Sequence, residues 1–199
     1  RGDSVTSCHP RCLLRQIDRY CMKIYTRTGD SGSTSLFNGE RVLKSSLFIQ
    51  ALGDVDEANS CLGTALSFLP KEDVFQGTRG RLEIVQHALF DVGAALATPR
   101  RHSDARKLKK TLFGPEATDL LEKWMDEMDV ELPQLKKFIL PGGSPAGATL
   151  HLGRSIVRRA ERSVLPLYEE QEVHQDVLVY LNRLSDYLFF AARFVNHHV

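Results

Sequence analysis

The sequence predicts an all-α fold, a bundle of five helices. Three observations predict it. Apolar residues recur near the 3.6-residue period in five long segments, prolines stand at the ends of several of these, and no run of alternating residues reads as a convincing strand. At 199 residues the chain can bury one sizeable core. The expected layout is an N-terminal tail over residues 1–22 and one domain over 23–199. No internal repeat or low-complexity linker divides it.

The first helix is expected over residues 45–69. Phe48, Ala51 and Leu52, Val55, Ala58 and Asn59, Leu62, and Ala65 and Leu66 share a side, and Pro70 ends the segment. Gly53 and Gly63 each lower helix preference by roughly 1 kcal/mol relative to Ala, so both are candidates for close helix contacts. The second helix is expected over 78–98, with Ile84, Val85, Ala88, Leu89, Val92, Ala95 and Leu96 on a broad apolar face and Pro99 as its stop. Pro115 suits the first turn of a third helix reaching about Met128. The stretch KKFILPGGSP reads as an irregular connector. Ser144 as N-cap and Pro145 behind it start a fourth helix reaching about Leu165, with Leu152, Ile156, Ala160, Val164 and Leu167 as its buried stripe. The fifth helix runs from about Val173 to His197, its stripe carried by Val177, Leu181, Leu184, Leu188, Ala191 and Val195. Residues 23–25 are the only segment with strand character.

Composition narrows the classes of function. Twenty-six Lys and Arg against 25 Asp and Glu leave a formal charge of +1. That is no global basic footprint, so nucleic acid is a poor partner. No apolar run approaches the roughly 18 residues of a membrane span. Cys8, Cys12, Cys21 and Cys61 form no C-x-x-C pair, which argues against structural zinc and for reduced thiols. Arg1, Arg11, Arg15 and Arg19 give the tail a transit-peptide character that Asp3 and Asp18 weaken; the lack of an initiator Met fits trimming. A disordered terminus without an address is the alternative.

Polar residues gather in four places. The stretch KIYTRTGDSGST, residues 23–34, combines hydroxyls, glycines that admit close backbone approach, and cations at Lys23 and Arg27. It lacks the Walker A pattern, so a phosphate cradle and an ordinary turn both stand. The fourth helix carries Arg154, Arg158, Arg159 and Arg162 around Glu161, either a solvated face with Glu161 paired to Arg158 or a polyphosphate site. Asn182 and Asp186, four apart in the fifth helix, flank its apolar stripe and suggest a buried hydrogen-bond network, a ligand contact or both. Asp54, Asp56 and Glu57 read equally as metal ligands, ion-pair partners or solvated acids. The most basic run, RRHSDARKLKK at 100–110, reads as a solvated loop between helices in preference to an anion patch, because no aromatic residue interleaves its charges.

The segments KIYTRTGDSGST, GDVDEANSCLG, FILPGG, RRAER and LNRLSDYLF, in this order and spacing, resemble the PduO-type ATP:cob(I)alamin adenosyltransferases over residues 23–196. The resemblance implies a homotrimer of five-helix bundles with active sites between subunits. The implied activity transfers the 5′-deoxyadenosyl group of ATP, with Mg²⁺ on its phosphates, to cob(I)alamin. It further implies ATP contacts from Lys23, Thr26, Arg27, Thr28, Gly29, Asp30, Gly32, Thr34 and Lys44 on one subunit. Arg158, Glu161 and Asn182 would come from the next. Asp56 and Arg154 match an ion pair across the interface, Phe138 matches the aromatic residue beside the corrin ring, and Asp186 lies in the matching last-helix motif. Arg158, Asn182 and Phe138 are thus the expected catalytic set. Without the resemblance, Phe138 reads as core packing before a Pro-Gly turn. Ser31 and Ala58 depart from a lysine and a leucine common in the family. Expected partners are a reductase and an adenosylcobalamin-dependent mutase. A targeting tail implies the mitochondrial matrix; otherwise the cytoplasm is expected. A carrier that hands adenosylcobalamin to a mutase with little catalysis is the alternative.

Overall fold

The computed structural model describes residue 27 and residues 29–199. The tail, its three cysteines and the strand expected at 23–25 lie outside the described residues, as do Lys23, Thr26 and Thr28. Among the described residues a hairpin comes first: β1 (Ser33–Ser35) and β2 (Arg41–Leu43), antiparallel, with Thr34 opposite Val42. Six α-helices follow: α1 (Leu47–Phe68), α2 (Gln76–Leu96), α3 (Ala105–Lys110), α4 (Glu116–Glu131), α5 (Pro145–Glu169) and α6 (Gln175–His198). A 3-10 turn, Asp73–Phe75, leads into α2. The five long helices are those the periodicity predicts. None is long and apolar enough to cross a membrane.

The bundle is ordered by α5, which packs along both α1 and α6; α2 leans on α1, and α4 on α6. All six residues of the stripe expected on α6 are buried. At Gly153, α5 packs against both neighbours at once: a Cβ there would sit 3.5 Å from Cys61 Sγ of α1 and 3.7 Å from Leu188 Cδ1 of α6. Gly53 faces open space instead, and Gly63 meets only the Gln86 side chain at 3.4 Å, so neither marks a close contact of helix backbones. Leu152 and Ile84 are exposed, not core. Their places are taken by Gly153 and Leu82, one and two positions away, because each buried stripe is narrower than the apolar run that contains it.

Two elements differ from expectation. The hairpin is made by Asn38-Gly39, with Gly39 at φ 94° and Leu36 N–H donating to Glu40 O at 2.9 Å. Such a pair is a strong turn signal, but the three-residue strands on either side are too short to show alternation. The basic run contains α3. Asp104 caps it by accepting from Lys107 N–H at 2.9 Å, and lysines in its last turn complement the helix dipole.

The Tyr187 ring is buried against Trp124, with centroids 5.7 Å apart. Its hydroxyl finds no hydrogen-bond partner among the described residues, and burial pushes its pKa up. An unpaired buried donor opposes folding by about 1–3 kcal/mol. Tyr187→Phe is therefore expected to raise the melting temperature by a few degrees; a scanning calorimeter checks this, and a lower value contradicts it.

Candidate active site

Helices α5 and α6 present a shallow groove of about 210 Å³ lined by Arg158, Glu161, Arg162, Leu165, Leu178 and Asn182. Arg158 and Glu161 lie three apart on α5, and Asn182 faces them from α6. Asn182 Nδ2 donates to Glu161 Oε1 at 2.9 Å. Glu161 is thus held by Asn182 rather than by Arg158, and Asn182 is exposed, not part of a buried network. Arg158 is exposed and in no ion pair among the described residues. Its fork of donors is therefore available to an anion.

The other arginines have different work. Arg159 Nε bonds Asp54 Oδ1 at 3.2 Å and its Nη2 bonds Glu57, while Ser163 Oγ also reaches Asp54. This network ties α5 to α1 and settles Asp54 and Glu57 as ion-pair partners. Asp56 points away from it, exposed beside a cleft of about 460 Å³ between α1 and α2 that includes Ile49, Asn59, Leu89 and Phe90. Asp56 and Arg154 do not pair within the chain; the Arg154 guanidinium lies 5.9 Å from the Phe189 ring centroid. Asp186 is exposed and accepts from Arg183 at 3.2 Å, and Arg183 also donates to Glu122 of α4 at 2.7 Å. It therefore faces α4 and not the groove of Asn182.

The glycine-rich loop folds as a tight turn beside β2. Gly32 N–H donates to Gly29 O at 3.2 Å, and Lys44 N–H donates to Gly32 O at 2.9 Å. The Lys44 ammonium lies over Gly29, where an added Cβ would sit 3.3 Å from Nζ. Gly32 at φ 81° and Arg27 at φ 58° adopt left-handed backbone. Gly29, Asp30, Gly32, Thr34 and Lys44 are thus brought together. The hairpin is anchored at the end of α2: Phe37 N–H donates to Ala97 O at 2.9 Å, and Lys107 Nζ donates to Asn38 O at 2.8 Å. No described residue of the loop lines the groove of Arg158.

Phe138 is fully exposed, so it is not core packing. It stands at a cleft of about 530 Å³ with Leu135, Ile139, His151, Arg154 and Phe189. The connector beneath it is pinned by Asn196, whose Oδ1 accepts from Ser144 N–H at 2.9 Å and Ser144 Oγ at 3.0 Å, and whose Nδ2 donates to Gly142 O at 2.7 Å. Gly147 leaves room for that amide: a Cβ there would lie 2.1 Å from Oδ1. Asn196→Ala strands several partly buried groups. The expected cost is about 1–3 kcal/mol, or a melting point lower by several degrees.

His151 and Phe189 were not among the residues singled out from sequence. His151 sits one turn before Arg154 on α5, and Phe189 one turn after Asp186 on α6, so a search one turn beyond each polar residue finds both. His151 is buried with its ring centroid 6.0 Å from that of Phe189. Burial, and then the nearby Arg154 charge, lower its pKa from 6.5. Below that value the unfolded chain binds a proton that the folded chain resists. Stability is thus expected to fall as pH drops below 6.5, and His151→Gln to flatten that part of a melting-temperature profile.

The profile of the cobalamin adenosyltransferase family matches residues 24–195. The chain is 46% identical over 175 residues to the corrinoid adenosyltransferase of Bacillus subtilis, covering 88% of this chain and 87% of that one. It is 42% identical over 172 residues to the corrinoid adenosyltransferase MMAB of Homo sapiens, covering 86% and 68%. A solved structure of a variant PduO-type ATP:corrinoid adenosyltransferase from Lactobacillus reuteri, complexed with cobalamin and ATP, superposes with a TM-score of 0.79 at 40% identity. The match covers 88% of this chain and 94% of that one. A sequence match across nearly the whole domain, joined to a shared backbone, makes the chain a member of the cobalamin adenosyltransferase family.

Proposed function

We propose that the protein transfers the 5′-deoxyadenosyl group of ATP to cob(I)alamin, releasing tripolyphosphate. The observation that carries this is Arg158, without an ion pair among the described residues, beside the Glu161–Asn182 pair, in a chain 40% identical to a protein solved with both ATP and cobalamin. The Co(I) lone pair attacks C5′ and forms the Co–C bond. The C5′–O bond breaks, and its electron pair leaves with the triphosphate.

No side-chain nucleophile is needed, because the cobalt supplies the hard chemistry. The chain holds C5′ in line with the metal and answers the charge growing on the leaving oxygen. Arg158, Lys44 and the N–H groups of Asp30 and Ser31 within the Gly29–Gly32 turn are the groups for that charge. Mg²⁺ riding on the ATP phosphates adds to it; among the described residues no cluster of three or more His, Cys, Asp or Glu could hold a metal. Glu161 and Asn182 orient the nucleotide, and Phe138 meets the lower face of the corrin.

The loop and the arginine groove are built on different parts of the chain, which supports a site completed by a second copy. In the homotrimer we propose, the loop of one subunit meets α5 of the next, and Asp56 pairs with Arg154 across that contact. Exposed Phe90 and half-buried Ile49 beside Asp56 suit such burial. Asp56→Ala is expected to shift the chain toward monomer in sedimentation, because Arg154 loses its partner; an unchanged trimer contradicts the pairing. The activity is tested by adding ATP, without oxygen, to chemically reduced cobalamin and the protein. The spectrum is expected to pass to that of an alkylcobalamin, and an unchanged spectrum overturns the reading.

A further inference from the structure

A second cavity, of about 290 Å³, lies between α3, the end of α2 and the start of α6. It shares no lining residue with the Arg158 groove or the Phe138 cleft. Along α6, Val177 in its floor stands twelve residues before Phe189, about 18 Å away.

Its construction is amphiphilic. Ala95, Leu108, Phe113, Val173 and Val177 make an apolar floor. The floor is firm, because Phe113 is buried edge-on against Tyr180 with ring centroids 5.1 Å apart. Leu112 is exposed at the mouth. Arg100 and Lys109 stand on the rim, and neither side chain has an ion pair or hydrogen bond among the described residues. Their neighbour Lys107 differs, since its ammonium is engaged by Asn38 O at 2.8 Å.

The one acidic residue in the lining does not oppose an anion. Glu172 is buried, and its carboxylate accepts from Arg101 N–H at 3.1 Å while facing His102 Nε2 at 3.5 Å and Arg101 Nε at 3.9 Å. Its charge is answered from the loop side.

The geometry points to a binding site for an amphiphilic monocarboxylate of medium chain length, its hydrocarbon on the floor and its carboxylate between Arg100 and Lys109. The guanidinium fork matches a carboxylate. The volume falls at the lower edge of the ~300–1,000 Å³ typical of ligand pockets, which favours a small single-chain ligand over a bulky one.

Calorimetric titration of the full chain with sodium octanoate, beside 1-octanol and inorganic phosphate, tests the assignment. Octanoate is expected to saturate one site per chain. Octanol lacks the charge and is expected to bind about tenfold more weakly, and phosphate, lacking the tail, not to compete. Arg100→Glu and Lys109→Glu, both at exposed positions, are each expected to weaken octanoate about tenfold by turning attraction into repulsion. Leu112→Asp is expected to weaken it without changing the melting temperature. Unsaturable heats, octanol binding as tightly as octanoate, or an affinity unmoved by both charge reversals would overturn the assignment.

Discussion

Arg158→Ala is expected to lower adenosyl transfer by about 10²–10³-fold, the usual loss when one donor facing a developing anion is removed. The chain should fold as before. Arg158 is exposed, makes no ion pair among the described residues, and leaves the Asn182–Glu161 bond intact when it goes. Single-turnover kinetics on reduced cobalamin separate the chemical step from binding: the loss belongs in the rate constant more than in the ATP dissociation constant. Arg158→Lys keeps the charge but not the fork and should fall between the two. Arg159→Ala is the internal comparison. It removes the contacts to Asp54 and Glu57 that join α5 to α1, so its first effect should be a lower melting temperature. Near-normal turnover in Arg158→Ala would remove the arginine from the chemistry.

The difference between these adjacent arginines shows where sequence reasoning stops. Periodicity placed both on the outer part of one helix. Only the position of α1 decides that Arg159 has acidic partners and that Arg158 has none among the described residues. The five long helices were legible because each buries a stripe at helical spacing, and the α6 stripe is buried throughout. Leu152 was not legible as a surface residue, since Ile156 and Ala160, at i+4 and i+8 from it, are core residues. The hairpin and α3 are short elements fixed by one turn and one cap, so no period announces them. Phe138 was the hardest to place. An aromatic residue shortly before Pro-Gly-Gly is core in most settings, whereas here it is exposed on a connector that Asn196, 58 positions away, pins at Gly142.

That exposure makes Phe138→Ala a clean experiment. A fully exposed ring that contacts no core can be truncated within about 0.5 kcal/mol of neutral, so folding and ATP affinity should be unchanged. The expected defect lies in the metal. If the ring takes the place of the lower axial ligand, its loss leaves Co(II) with that ligand, and axial ligation is a main lever on cofactor potential. On that reading the ATP-bound protein holds Co(II) four-coordinate, and the paramagnetic resonance signal of that species should be absent in the variant. Each ~59 mV by which the couple falls reduces the available Co(I) about tenfold, so turnover that starts from Co(II) with a weak reductant should collapse. Turnover supplied with cobalamin already reduced to Co(I) bypasses that step and should fall far less. A ring that merely packed against the corrin would predict the reverse pattern: weaker cobalamin binding, equal losses from Co(II) and Co(I), and a retained four-coordinate signal.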